Sequence, residues 1–207
     1  MPRIFRLLPG LCLITLCGCA TARRTPAWID VSGFLVDTSR ATPAQVDAVL
    51  PTLRQQIAML ESAHLPEKVL AYFKGIPIAI DPRLTGMNGQ YALVDGVWMV
   101  RARPQRWPPE RAILLHELLH AYHHWILGQP AAAIESAFAE AHHEGVYPAD
   151  FQNAYFLSNS REYFAVIGEV YLAGTTFRPP YSCAAVQKAQ PGFIAYMAGL
   201  FGEHPCN

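Results

Sequence analysis

Charge is what this sequence has least of. Only 15% of its 207 residues are Asp, Glu, Lys or Arg, and sixteen basic residues balance sixteen acidic ones. Without a basic excess there is no electrostatic footprint for the phosphates of a nucleic acid. At 52% hydrophobic, the chain is not a disordered acidic or basic protein either. Long apolar runs are missing as well: Leu7 to Leu16, interrupted by Pro9, is too short to span a bilayer. No internal repeat or low-complexity stretch occurs, and the length suits one globular domain with a sizeable core.

Cysteine is scarce where a fold would use it. Of five, Cys12, Cys17 and Cys19 fall near the start, leaving Cys183 and Cys206. Arg3 and Arg6 precede the short apolar run, and the segment closes on Leu16-Cys17-Gly18-Cys19, which resembles a bacterial lipoprotein box. That resemblance implies a signal peptide over 1–18, a lipidated Cys19 with a tether over 19–27, and a folded domain over 28–207. With Ala20 after the cysteine, it implies an outer-membrane lipoprotein facing the periplasm, attached to the membrane only through its lipid. Ordinary secretion is the alternative. In an oxidising compartment the remaining pair, Cys183 and Cys206, is expected to form a disulfide worth roughly 3 kcal/mol in the chain-entropy model.

Local signals place strands mainly before helices. Trp28 to Val36 reads as a strand, and Thr42-Pro43 as the start of a helix that breaks or kinks at Pro51 and continues to about His64. Ile76 to Ile80 is a short strand. Asp95-Gly96 between Tyr91–Val94 and Val97–Arg101 is a hairpin signal. Helices follow from Glu110 to Leu127, Ala131 to Glu144, Ser160 to Leu172 and Phe193 to Phe201. The expected class is α+β, a small sheet whose hairpin packs on the Glu110–Leu127 helix, with Val97–Arg101 at the sheet edge.

That helix carries His116-Glu117-Leu118-Leu119-His120. Residues four apart share a helix face, so both imidazoles can reach one tetrahedral zinc ion. Glu117 beside the first ligand can take a proton from a water at the metal. A third histidine six residues after His120 is missing, since position 126 is Ile126, so the third ligand comes from elsewhere. His123 and His124 follow His120 too closely and are expected at the solvent or pocket rim. His142 and His143 have no supporting pattern. Two downstream glutamates, Glu162 and Glu169, remain open as candidates. Asn159-Ser160-Arg161-Glu162 also fits a capping box, which would occupy the Glu162 carboxylate.

The segment Asn159 to Ala165, together with Ala139 to Tyr147, resembles the zinc-binding core of gluzincin peptidases related to the catalytic domain of anthrax lethal factor. The likeness covers about residues 110–172. It implies a zincin-like fold, Zn2+ held by His116, His120 and Glu162, and Glu117 as general base. Tyr155, seven residues before Glu162, would stabilise the oxyanion. The family often has a second acidic residue four positions after its glutamate ligand; here that position is Val166, leaving a backbone carbonyl or Glu169 to support a histidine. The resulting expectation is a peptidase acting on a peptide or protein substrate of the envelope. A zinc amidase acting on cell-wall peptides and a non-enzymatic zinc-binding lipoprotein are the alternatives, the latter having no need of Glu117.

Overall fold

The protein is represented by a computed structural model that describes residues 27–143, 145–204 and 206. The expected signal peptide, Cys19 and the tether through residue 26 lie outside the described residues.

Five strands form one mixed sheet in the order β1-β2-β3-β5-β4. β1 (Trp28–Val31) and β2 (Phe34–Asp37) are antiparallel. Ser32 and Gly33 between them both have positive φ, a two-residue turn that reverses the chain where one continuous strand is expected from sequence. β3 (Ile78–Ile80) runs parallel to both β2 and β5, while β4 (Gly89–Val94) and β5 (Val97–Ala102) form the hairpin around Asp95-Gly96. The expected edge assignment is therefore wrong. β5 is enclosed between β3 and β4, and β4 is the edge. The long-range parallel pairing of Ile78 with Val100 leaves no mark in the local pattern.

α1 (Pro43–Ser62) begins with a full capping box between Thr42 and Gln45 and is not broken at Pro51. Pro51 faces solvent, as does Asp47 one turn before it, so the hydrogen bond that proline removes falls on the hydrated side. The opposite side, including Leu53, Ile57 and Leu60, is buried. α2 (Glu67–Lys74) has no counterpart in the sequence reading.

α3 (Ile113–Tyr122) carries the histidine pair. It passes into a π-helical turn at His123–Leu127 instead of staying α-helical to Leu127, and ends at Gly128 with φ 77°. α4 (Ala132–Ala141) follows, then α5 (Ser160–Ala173), whose residues from Tyr163 to Leu172 are all buried. α6 (Cys183–Ala189) and α7 (Pro191–Phe201) complete the fold. The class is α+β, with seven α-helices among the described residues. None of them is long and apolar enough to cross a membrane. Cys183 and Cys206 are joined as a disulfide, with Cα atoms 5.0 Å apart.

Two glycines let backbone come close where the site is built. Gly168 on α5 faces Leu119 on α3, and a Cβ there would lie 2.6 Å from Leu119 Cδ1. At Gly89, the first residue of β4, a Cβ would lie 2.8 Å from Ile113 Cγ2 and 3.1 Å from Glu117 Cγ. The sheet edge thus rests directly on the first turns of α3.

Candidate metal centre

α3 offers no capping side chain of its own: Ala112 occupies its N-cap. The cap is tertiary. Gln56, buried on α1, accepts a hydrogen bond from Leu114 N at 3.0 Å and donates to the Arg111 carbonyl at 2.7 Å. One amide side chain satisfies both a free N–H and the chain just before the helix. Behind it, Leu114, Leu118 and Leu119 are fully buried, which leaves His116, Glu117 and His120 on the side of the cleft.

Glu162 enters from the first turn of α5. Asn159 caps this helix by accepting from the Arg161 and Glu162 amides, and the Glu162 carboxylate turns to the histidines. Its Oε2 lies 3.1 Å from His116 Nε2 and 3.5 Å from His120 Nε2, and the two Nε2 atoms are 3.1 Å apart. A tetrahedral zinc with arms of 2.0–2.1 Å sets its ligand atoms about 3.3 Å from one another. Three donors already at that spacing fit such an ion, and His116, His120 and Glu162 form a group able to hold a metal.

Glu169, about two turns further along α5, is buried on the other side of His116. Its Oε1 accepts from His116 Nδ1 at 2.5 Å and its Oε2 from Thr176 Oγ1 at 3.1 Å. Donating through Nδ1 leaves the Nε2 lone pair for a metal. Glu169 is thus placed as the support for His116, not as a member of the ligand trio. Val166 is wholly buried and belongs to the core.

Electrostatics at the cluster favour positive charge. Burial alone would hold the His116 imidazole neutral, but the Glu162 and Glu169 carboxylates, with Glu117 nearby, carry its pKa up to about 10. Burial opposes ionisation of Glu162, yet the two imidazoles hold its carboxyl far below the ordinary range. A proton on His116 fills the place that a divalent cation would take, so metal binding there releases protons.

Glu117 is buried beside the trio, and its Oε2 accepts from the Tyr91 amide of β4 at 2.7 Å. Tyr155 is exposed at the cleft instead of packed in the core, its ring 6.3 Å from that of His116. Burial of its hydroxyl and a hydrogen bond to Glu162 both push the phenol pKa up, so it remains a proton donor at neutral pH. His124 lies at the rim, 3.2 Å from the Tyr91 hydroxyl. His123, expected at the rim too, is fully buried against Phe164, and neither ring nitrogen has a partner. Seven residues after His116, it falls on the same helix face, toward α5. His142 and His143 are exposed and outside the cluster.

A cleft of about 640 Å³ opens over His116, Glu117, His120 and Glu162. One wall is the start of β4. Gly86 to Asn88 lead into that strand, and Arg111, Phe177 and Arg178 line the cleft as well. Sequence reasoning missed Gln56, Gly89 and these two arginines. Only Gly89, a glycine opening a strand, leaves a local signal. No protein-family model, curated protein or solved structure matches the chain.

Proposed function

We propose that the chain is a zinc-dependent metallopeptidase with a zincin-like site, its metal held by His116, His120 and Glu162. The observation that carries this reading is the convergence of those three donor atoms at 3.1 to 3.5 Å beside a buried Glu117 and the edge strand β4. When bound, zinc supplies Lewis acidity toward a carbonyl and toward water.

The protein's own groups do the rest. Glu117 takes the proton of the attacking water and delivers it to the departing amine. The Tyr91 amide holds one of its oxygens and leaves the other for proton transfer. Tyr155 donates to the oxyanion of the tetrahedral intermediate. An extended peptide lies along β4, the edge strand, by strand addition. Glu117 has no task in a purely structural metal site, which favours an enzyme over a metal store. The leader suggests that the domain is held at the envelope by Cys19, confining its substrates to those within reach of a lipid anchor.

Elemental analysis of the mature protein should find about one zinc per chain, lost in His116→Ala, His120→Ala and Glu162→Ala. Glu117→Gln should keep the zinc and lower turnover at least ~10²-fold, measured on peptides and on peptidoglycan side by side. Full activity in that variant would sink the mechanism, and cleavage of peptidoglycan alone would favour the amidase.

A further inference from the structure

We propose that Arg111 and Arg178 form a carboxylate-binding subsite in the same cleft, so that preferred substrates carry an anionic group beside the scissile bond. The part played by the scissile bond rests on the peptidase reading; the subsite itself rests on the arginines.

Both guanidiniums lie over the Phe177 ring, Arg111 at 4.0 Å and Arg178 at 4.3 Å from its centroid. Two cationic centres are thereby held within about 8 Å of each other, the most those two contacts allow. Arg178 also lies 4.5 Å over the ring of Tyr155, which places it next to the metal centre.

Like charges this close repel unless an anion joins them. Among the described residues no carboxylate forms an ion pair with Arg178. Arg111 has only Glu110 at 3.9 Å, with both side chains open to solvent. The Nε atom of each arginine is buried and has no hydrogen-bond partner, so a ligand would be met by the terminal N–H groups.

The arrangement is also rigid enough to select. The planar fork of N–H donors on a guanidinium matches a carboxylate in two parallel bonds. Gln56 fixes the Arg111 backbone through its carbonyl, and the Arg178 guanidinium lies over both the Phe177 and Tyr155 rings. Arg111 precedes α3 and His124 follows it, so the cationic end lies roughly 20 Å along the helix axis from the aromatic end formed by Tyr91, Trp98 and His124. The metal centre lies between them. A substrate crossing it therefore meets the Arg111–Arg178 pair on one side, while Arg161 lines the cleft separately.

The carboxylate can be an acidic side chain or a free C-terminus. The subsite is tested without turnover by following the arginine side-chain Nε–H NMR signals of the zinc-loaded protein during titration with glutarate and with its uncharged diamide. Arg111→Gln and Arg178→Gln assign the two signals. Both should shift with glutarate and neither with the diamide; absence of a glutarate shift overturns the proposal.

Turnover then identifies the source of the charge. Peptides differing by Glu against Gln at single positions, and by a free against an amidated C-terminus, are compared. One of the two neutralisations should lower kcat/KM at least roughly tenfold, mainly through KM. In either arginine variant that ratio should collapse toward one, while zinc content stays at one per chain. A ratio unchanged in both variants would overturn the subsite. Glutarate-dependent shifts in a protein that cuts no peptide would keep the subsite and remove the peptidase reading instead.

Discussion

Glu169 receives His116 Nδ1 and Thr176 Oγ1 on its two oxygens, so it fixes both the tautomer and the tilt of one proposed ligand without reaching the ion. Glu169→Gln keeps the shape and removes the charge. Zinc affinity should fall ~10–100-fold, read by competition with a chromophoric chelator, with His116 still binding. An unchanged affinity would reduce Glu169 to a packing residue. His123 acts on stability instead. Burial lowers its pKa to about 4 from 6.5, so the ring stays neutral in the folded protein down to about pH 4, while the unfolded chain takes up a proton below about 6.5. The unfolded state binds more protons across that window, and stability falls as pH drops through it, by on the order of 3 kcal/mol in full. His123→Phe sacrifices no hydrogen bond, because neither nitrogen makes one. It should leave the melting temperature at pH 7.5 nearly unchanged and flatten its decline between pH 6.5 and 4, measured with chelator present to exclude metal loss. An equally steep decline in the variant would mean that other groups govern it.

Among the elements, the contact of α3 with α5 decides whether the two halves of the site meet. Gly168 brings α5 onto Leu119, and an added methyl would lie 2.6 Å from that side chain. Gly168→Ala should therefore cost about 1–3 kcal/mol and move Glu162 relative to the histidines, lowering zinc affinity along with the melting temperature. Shortening the opposing side chain in the double variant Gly168→Ala/Leu119→Val should recover part of both. If the pair showed simple additivity, close approach at this point would not be the cause. Helix α3 depends on α1 in a similar way, because Gln56 supplies the hydrogen bonds that its own N-cap lacks.

For the molecule as a whole, the Cys183–Cys206 bridge ties the C-terminal end back to the start of α6 across a separation of 23 residues. Closing a loop of that size is worth roughly 3 kcal/mol in the chain-entropy model. Intact mass should rise by two hydrogens on reduction, and the reduced protein should melt lower while its zinc content stays near one. Ready alkylation of both thiols without reductant would show that no bridge exists. α5, buried from Tyr163 to Leu172, packs against α3, α4, α6 and α7, while the sheet packs on α3.

The spacing of His116, Glu117 and His120 was legible in the sequence because one helical turn fixes it, and local periodicity is enough to define that turn. Glu162 was legible only as one of several candidates. Its competing role as a cap depends on where a side chain points, which packing of α5 against α3 settles. The hairpin at Asp95-Gly96 is local chemistry and was readable; which of its strands forms the edge is not, since β5 finds β3 across some twenty residues of intervening chain. The same holds for Gln56 at the head of α3 and for the meeting of Arg111 with Arg178 on Phe177. Sequence determined that His116, Glu117 and His120 share one helical turn, because helical spacing is a short-range property. Tertiary structure decided which supports reach them and the charge of the cleft around them, because those contacts join residues that are neighbours only once the core has closed.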